Sequence, residues 1–264
     1  DMGERKKYRR GRRKKKKGGI ISTLILIIAI AVFCVSGYQL YKIFGGYHQG
    51  KSEYDKVREV AVHGDDKDED EFVVDFDELK KINADTVGWI RFYPEPSQIS
   101  YPLVQTTDND LYLNRTFSAN ENTVGAIFVN CDNASDFSDR NTIIYGHRMR
   151  DHSMFHDLEK YEDESFWKEN PYFYIYTPDG RKLSCHIYSA GIVKDTSSTY
   201  LTQFASDEEY QAFLDDTKRA GAYHTGVEVT TDQRVVTLST CTAASDDNRM
   251  VVRGVIESED VVKK

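Results

Sequence analysis

From Ile20 to Val35 the chain is almost wholly apolar, reading Ile-Ile-Ser-Thr-Leu-Ile-Leu-Ile-Ile-Ala-Ile-Ala-Val-Phe-Cys-Val, and Ser36, Gly37 and Tyr38 bring the stretch to 19 residues. A helix needs about 20 such residues to cross a bilayer, so the run predicts a membrane-spanning helix over 20–38. Residues 39–62 carry Tyr, Leu, Val and charged residues at loosely helical spacing, compatible with a stalk helix or two. The acidic run Asp65-Asp66-Lys67-Asp68-Glu69-Asp70-Glu71 then reads as a solvated linker.

From Phe72 onward the pattern changes to short runs of Val, Ile, Tyr and Phe bounded by Gly, Pro, Asn or Asp, which predict strands. These are Val87–Phe92, Tyr101–Gln105, Ala126–Asn130, Thr142–His147, Tyr172–Thr177, Lys182–Val193, Val227–Thr231, Arg234–Thr240 and Met250–Glu257. Helical spacing predicts Asp77–Asn83, with Asp75 or Asp77 as cap, and also Asn109–Asn114, Asp163–Glu169 and Asp207–Ala220. In the last of these, Tyr210, Phe213, Leu214 and Thr217 share one face. The fold class is mainly β with peripheral helices, a closed barrel or a sandwich. The expected divisions are a tail over 1–19, an anchor over 20–38, a stalk and linker over 39–71, and a globular domain over 72–264.

Charge settles the orientation. Up to Lys17 there are eleven Lys/Arg against Asp1 and Glu4, a local charge of +9 that leaves −17 for the remainder of a chain at −8 overall. Nucleic acid would suit such a basic block in isolation. Followed at once by an apolar span, it marks the cytoplasmic flank of an anchor and places everything after about residue 38 outside. A cleaved signal peptide is the competing reading; the length of the run and the lack of a small-x-small site count against it.

Four cysteines are present, with Cys34 in the apolar span and Cys131, Cys185 and Cys241 beyond it. Three is odd, so at least one outside thiol stays unpaired; whether Cys131 pairs with Cys185 is open. No CxxC motif and no histidine ligand spacing points to a metal or other cofactor. His152 and His156 lie four apart without an accompanying glutamate motif and read as surface residues.

Three residues carry candidate chemistry. Val235-Val236-Thr237-Leu238-Ser239-Thr240-Cys241 delivers a thiol at a strand end, and Arg249 opens the next strand eight residues later. Asn141-Thr142-Ile143-Ile144-Tyr145-Gly146-His147 ends on an imidazole. A thiol, a proton carrier and a fixed cation suit acyl transfer through a thioester. By alternation Cys241 shares a face with Ser239 and Thr237, a polar row expected to line an open cleft. Arg249 and Arg253 also share a face, and either could look into that cleft; for Arg253, mid-strand, the competing reading is a snorkelling surface residue. The residues alone stop at a cysteine acyltransferase or protease.

Thr237-Leu238-Ser239-Thr240-Cys241 followed by Arg249 resembles the TLSTC…R signature of sortases, the membrane-anchored cysteine transpeptidases of Gram-positive bacteria. Tyr145-Gly146-His147-Arg148-Met149 is similar to the family's YGHxM segment, Asn83-Ala84-Asp85-Thr86-Val87-Gly88-Trp89-Ile90 to its NpDtvGWI stretch, and Tyr101-Pro102-Leu103-Val104-Gln105 to yPvvQ. Gly125-Ala126-Ile127-Phe128-Val129-Asn130 is similar to GsIFvD, with Asn130 where aspartate is commoner. The helical insertion Asp207–Ala220 points to class B, as does a chain ending Val261-Val262-Lys263-Lys264 without a second apolar span.

The resemblance implies an eight-stranded sortase-type barrel with added N-terminal helices. It implies Cys241 as nucleophile, His147 as general acid/base and Arg249 as stabiliser of substrate and oxyanion. It maps substrate contacts onto Asn109 and Leu113, four apart on one helical face, and onto Thr196, Tyr200, Leu201 and Ser239. It implies no cofactor, and as partners secreted proteins bearing a sorting motif, an amine of a peptidoglycan precursor, and the membrane through the N-terminal helix, with no nucleic acid. The implied location is the cell membrane, single-pass, with the catalytic domain extracellular. A secreted cysteine endopeptidase and a non-catalytic, membrane-tethered binding module remain as competing readings.

Overall fold

The computed structural model describes residues 18–64, 71–241 and 247–262. The first element is a single helix, α1 (Gly18–Ala61), in place of separate anchor and stalk helices. From Ile21 to Phe44 its large apolar side chains stay exposed, and its most apolar window has a mean hydropathy of 2.4 with none of it buried in the protein. It is long and apolar enough to cross a membrane. The chain divides into two units at Gly45/Gly46, within this helix.

The expected stalk is therefore shared out. Residues 46–61 pack with the second unit, where Tyr54, Val57 and Ala61 recur at helical spacing and are buried in its core. Tyr54 does more than fill space. Its hydroxyl donates to the Gly125 carbonyl at 2.7 Å and accepts from the Phe117 amide at 3.2 Å. Beside it, Glu53 accepts from the Ser118 amide and the Asn120 side chain. Burial pushes the Glu53 carboxyl up, but bonds from Thr116, Asn120 and Ser118 outweigh that and hold it below the usual 4.5. The helix thus contributes least in acid, as pH falls through that lowered value.

A two-stranded ribbon follows, β1 (Val62–His63) against β2 (Val73–Val74). Of the acidic run, residues 65–70 lie outside the described residues. Helix α2 (Phe76–Ile82) is capped by Asp75, whose carboxylate accepts from the Glu78 amide at 3.0 Å, and it buries Leu79.

Among the described residues, eight strands close into a barrel. They are β3 (Thr86–Phe92), β4 (Ser100–Val104), β5 (Ile127–Val129), β6 (Asn141–Tyr145), β7 (Tyr172–Tyr176), β8 (Arg181–Lys194), β9 (Val235–Cys241) and β10 (Asn248–Val261). Their order around the barrel is β10-β8-β7-β3-β4-β5-β6-β9. Two neighbouring pairs, β4 with β5 and β6 with β9, run parallel, and the rest antiparallel. Closure leaves no edge to aggregate, and the buried core takes in Trp89, Ile90, Val236, Leu238 and Val252 among others. Outside the wall, α4 (Asp207–Arg219) lays Tyr210, Phe213 and Leu214 over Tyr188, Val235 and Val255. Helix α3 (Glu164–Glu169) packs near a 3₁₀ segment, His156–Glu162.

Two expected elements differ. Val227–Thr231 forms no strand, although Val229 is buried in the cluster under α4. Closure is the reason: β9 already has β6 on one side and β10 on the other, so no edge is left for it to join. Asn109–Asn114 is no α-helix either, but a 3₁₀ turn, Leu111–Leu113, opened by Asp108 accepting from the Asp110 and Leu111 amides. Cys131 and Cys185 are both unpaired, and Cys185 lies in the barrel core.

Tyr54→Phe should lower the unfolding free energy by about 1–3 kcal/mol, because it strands two buried backbone groups while barely changing volume. Urea denaturation checks this, with an unchanged m value expected.

Candidate functional site

Strand register assembles the candidate residues. On one side of β9, Tyr145 of β6 is the parallel partner of Ser239, and the Gly146 amide continues the ladder to the Ser239 carbonyl at 3.2 Å. His147 and Cys241 each lie two residues further on, so both strands bring them to the same rim of the barrel. On the other side, Arg249 of β10 is the direct antiparallel partner of Cys241. Directly opposed residues share a face, with β-carbons about 4.5–5.5 Å apart. The side chain of Cys241 and residues 242–246 lie outside the described set; the backbone register carries the placement of the thiol.

His147 is held from behind. Its Nε2 sits 2.6 Å from the Leu113 carbonyl. A carbonyl can only accept, so Nε2 carries a proton there and Nδ1 is the nitrogen left to exchange one. Gly125 makes the fit possible, with φ +66 and so little room that a β-carbon would lie 2.7 Å from His147 Cδ2 and 2.8–2.9 Å from the carbonyls of Tyr112 and Leu113. The bond from Tyr54 lands on this same glycine. Phe155 closes the histidine's backbone, its amide donating to the His147 carbonyl at 2.9 Å.

Arg249 is partly exposed, donates to the Asn248 carbonyl at 3.1 Å, and lies 3.9 Å from the Asp195 carboxylate. That pairing is long and half open to solvent, so it tethers the guanidinium weakly.

The polar row on β9 is not the open cleft that alternation suggested. Thr237 and Ser239 are buried, covered by the segment that follows β8. Tyr200, in the 3₁₀ turn Ser198–Tyr200, bonds its hydroxyl to Ser239 Oγ at 2.8 Å and stacks on Tyr145 with ring centres 6.3 Å apart. Burial pushes the Tyr200 phenol up, opposed by the Ser239 bond and by Arg249 and Arg253. Ser239 is therefore a support beneath Tyr200. Thr196 and Leu201 on the same segment are exposed.

Asn109 and Leu113 do not share a helical face, because Asn109 precedes the 3₁₀ turn. Asn109 is half-buried and faces the β5–β6 connection, accepting from the Cys131 amide at 2.8 Å. Its amide is also 3.5 Å from Asn130 Oδ1, while Asn130 Nδ2 donates to the Tyr145 hydroxyl at 3.1 Å. Burial lifts the Tyr145 phenol to about 12. Leu113 contributes its carbonyl to His147 and keeps its side chain half-buried.

Two buried residues hold this site: Asn141, which the sequence did not mark out, and Arg253, which alternation offered as a cleft residue. Asn141, fully buried at the start of β6, donates to the carbonyls of Thr199 and Leu201 and accepts from Thr237 Oγ1. Arg253 is neither in an open cleft nor snorkelling. It is 0% exposed and donates to Ser189 Oγ at 3.0 Å and Thr199 Oγ1 at 2.8 Å. Burial pulls its pKa down, with Tyr188 and Tyr200 opposing. The available signal was a charged residue inside an otherwise apolar strand, in register with Thr237. A cavity of about 570 Å³ lined by Tyr54, Arg58, Arg91 and Tyr101 contains none of the candidate residues.

Known proteins share this fold. A family model for the sortase domain matches residues 95–257. The chain is 31% identical over 231 residues to sortase B of Staphylococcus aureus (strain NCTC 8325 / PS 47), covering 87% of this chain and 93% of that one. The crystal structure of sortase B from B. anthracis in complex with AAEK1 superposes with a TM-score of 0.69 at 32% identity, over 84% of this chain and 100% of that one. A Staphylococcus aureus sortase B–substrate complex gives 0.64 at 35% identity, over 71% and 85%. With the sortase model over more than half of its length and a closed barrel shared with these structures, the chain belongs to the sortase family of cysteine transpeptidases, in class B.

Proposed function

We propose that this sortase cleaves a C-terminal sorting motif of secreted proteins and joins the freed threonyl carboxyl to an amine of the cell wall. The observation that carries the reading is the double register of β9, with Cys241 opposite Arg249 and level with His147. In this reading the Cys241 thiol gives its proton to His147 Nδ1, and the thiolate adds to the threonyl carbonyl carbon. Arg249 donates to the oxyanion that forms. His147 returns the proton to the leaving amine as the carbon–nitrogen bond breaks, which leaves a thioester on Cys241. A peptidoglycan precursor amine then loses a proton to His147, attacks the thioester and releases the thiol.

The segment Thr196–Leu201 is the proposed wall of the peptide groove, with Thr196, Tyr200 and Leu201 touching substrate, Asn109 and Leu113 opposite, and Ser239 beneath. Arg253 and Asn141 act through that wall as positioning residues. The apolar part of α1 is the proposed single-pass anchor, its basic flank in the cytoplasm and the catalytic domain outside. The Staphylococcus aureus sortase B–substrate complex supports substrate binding by this fold.

Incubating the full chain in detergent with a pentapeptide library and candidate amines should yield amine-capped products, with a thioester on Cys241 detectable by mass spectrometry. Cys241→Ala should abolish both. Hydrolysis alone, with no amine captured at any concentration, would point to an endopeptidase.

Arg249→Ala should lower kcat by about 10²–10³, the cost of losing one oxyanion donor. Arg249→Lys should recover little, since a point charge does not reproduce the directed guanidinium. Arg253→Met should instead raise KM several-fold with kcat nearly kept, because it frees Thr199 without touching the reacting atoms.

A further inference from the structure

The turn that follows His147 holds a second constellation that the acyl-transfer chemistry does not use. One donor atom each from His152, His156 and Asp157 lies within 4.8 Å of the others. The sequence suggested surface residues, yet His156 and Asp157 are 4% and 2% exposed, and the two imidazoles lie 4.0 Å apart. Glu159 stands beside them, its Oε1 3.0 Å from His156 Nε2. We propose that this cluster is a binding site for a divalent transition ion of the zinc type.

His156, Asp157 and the half-exposed Glu159 each have one atom engaged outward and one turned inward. His156 Nδ1 meets the Met149 carbonyl at 2.5 Å, which can only accept, so Nδ1 keeps its proton; Nε2 faces Glu159 Oε1 and would give up its proton there to take the ion. Fixing the tautomer through the far nitrogen is the usual support for a metal-binding histidine. Asp157 gives Oδ2 to Lys160 Nζ at 2.8 Å and turns Oδ1 to His152 Nδ1 at 3.3 Å. Glu159 gives Oε2 to both Arg148 Nε and Nη2 and turns Oε1 to His156. The separations within the His156–Glu159 and His152–Asp157 pairs are 3.0 and 3.3 Å, and the donors of His152, His156 and Asp157 lie within 4.8 Å of one another, so an ion would draw them in toward the ~3.3 Å edge of a tetrahedron built on bonds of about 2.0–2.1 Å.

Mixed imidazole and carboxylate donors favour zinc and its neighbours over calcium or magnesium, which take oxygen sets. His152 is exposed and gives the ion access from solvent. It adopts φ 64, and Met154 φ 59, unusual for side-chain-bearing residues and stabilised here by the surrounding contacts. The ion would tie His152 to the start of the 3₁₀ segment His156–Glu162. It would thereby fasten the turn that meets the strand again through the Arg148–Met154 bridge and the Phe155–His147 hydrogen bond.

The test uses the full chain in detergent, stripped of metal, in a Cys241→Ala background so that the candidate thiol contributes nothing. Zn²⁺ is titrated against a chromophoric chelator, and Co²⁺ absorption reports geometry. One equivalent should bind per chain with intense tetrahedral Co²⁺ bands, and binding should weaken as pH falls and the imidazoles protonate. His152→Gln should weaken it at least about tenfold, as should Asp157→Asn, with His152→Gln melting like the parent when metal-free. His224→Gln, at an exposed histidine elsewhere, should change nothing. Absence of a stoichiometric ion, equal binding by His152→Gln, or an equal loss in His224→Gln would each overturn the site.

Discussion

The register of β9 is the constraint on which the candidate chemistry depends. Because β9 runs parallel to β6, the two strands reach the same rim together, and the residues just past that rim are His147 and Cys241. Because β10 runs antiparallel, its first residues start at that rim, and Arg249 pairs with Cys241 directly. A slip of one residue would turn every side chain to the opposite face. Burial on both sides resists it: Val236 and Leu238 fill the barrel, while Thr237 and Ser239 bond to Asn141 and Tyr200 on the other side.

Much of the fold was legible because strands buried on both faces read as short, near-continuous apolar runs between turn residues. The Val-, Ile- and Tyr-rich runs became β3 to β10 with ends shifted by a few residues. Val227–Thr231 shows the limit of that signal, since alternation records burial of Val229 but not whether a strand edge is free to pair. The 3₁₀ turn at Leu111–Leu113 shows another limit, where a single Asp108 carboxylate captures two amides and redirects six residues.

The site was legible where residues sit at strand ends and hidden where partners are distant in sequence. His147, Cys241 and Arg249 stand out as chemistry at the ends of apolar runs. The buried polar layer does not, because Arg253 meets Thr199 across 54 residues, and Asn141 meets Thr237 across 96. The same holds for Tyr54, whose hydroxyl reaches across 71 residues to the glycine that accommodates the histidine. A helix read as a plain stalk is thereby part of the support for His147. The loop over the strands supplies acceptors to Asn141 and to one arm of Arg253, whose other arm donates to Ser189 of β8 and whose Nε is left without a hydrogen bond.

The most direct test of the central claim is a crystal structure of the chain with a thiol-reactive peptide mimic bonded to Cys241. The adduct's carbonyl oxygen should lie within about 2.7–3.2 Å of the Arg249 guanidinium, with His147 Nδ1 on the leaving-group side and Nε2 still on Leu113. An adduct oxygen met by other donors, with Arg249 turned to Asp195 and His147 out of reach, would contradict it.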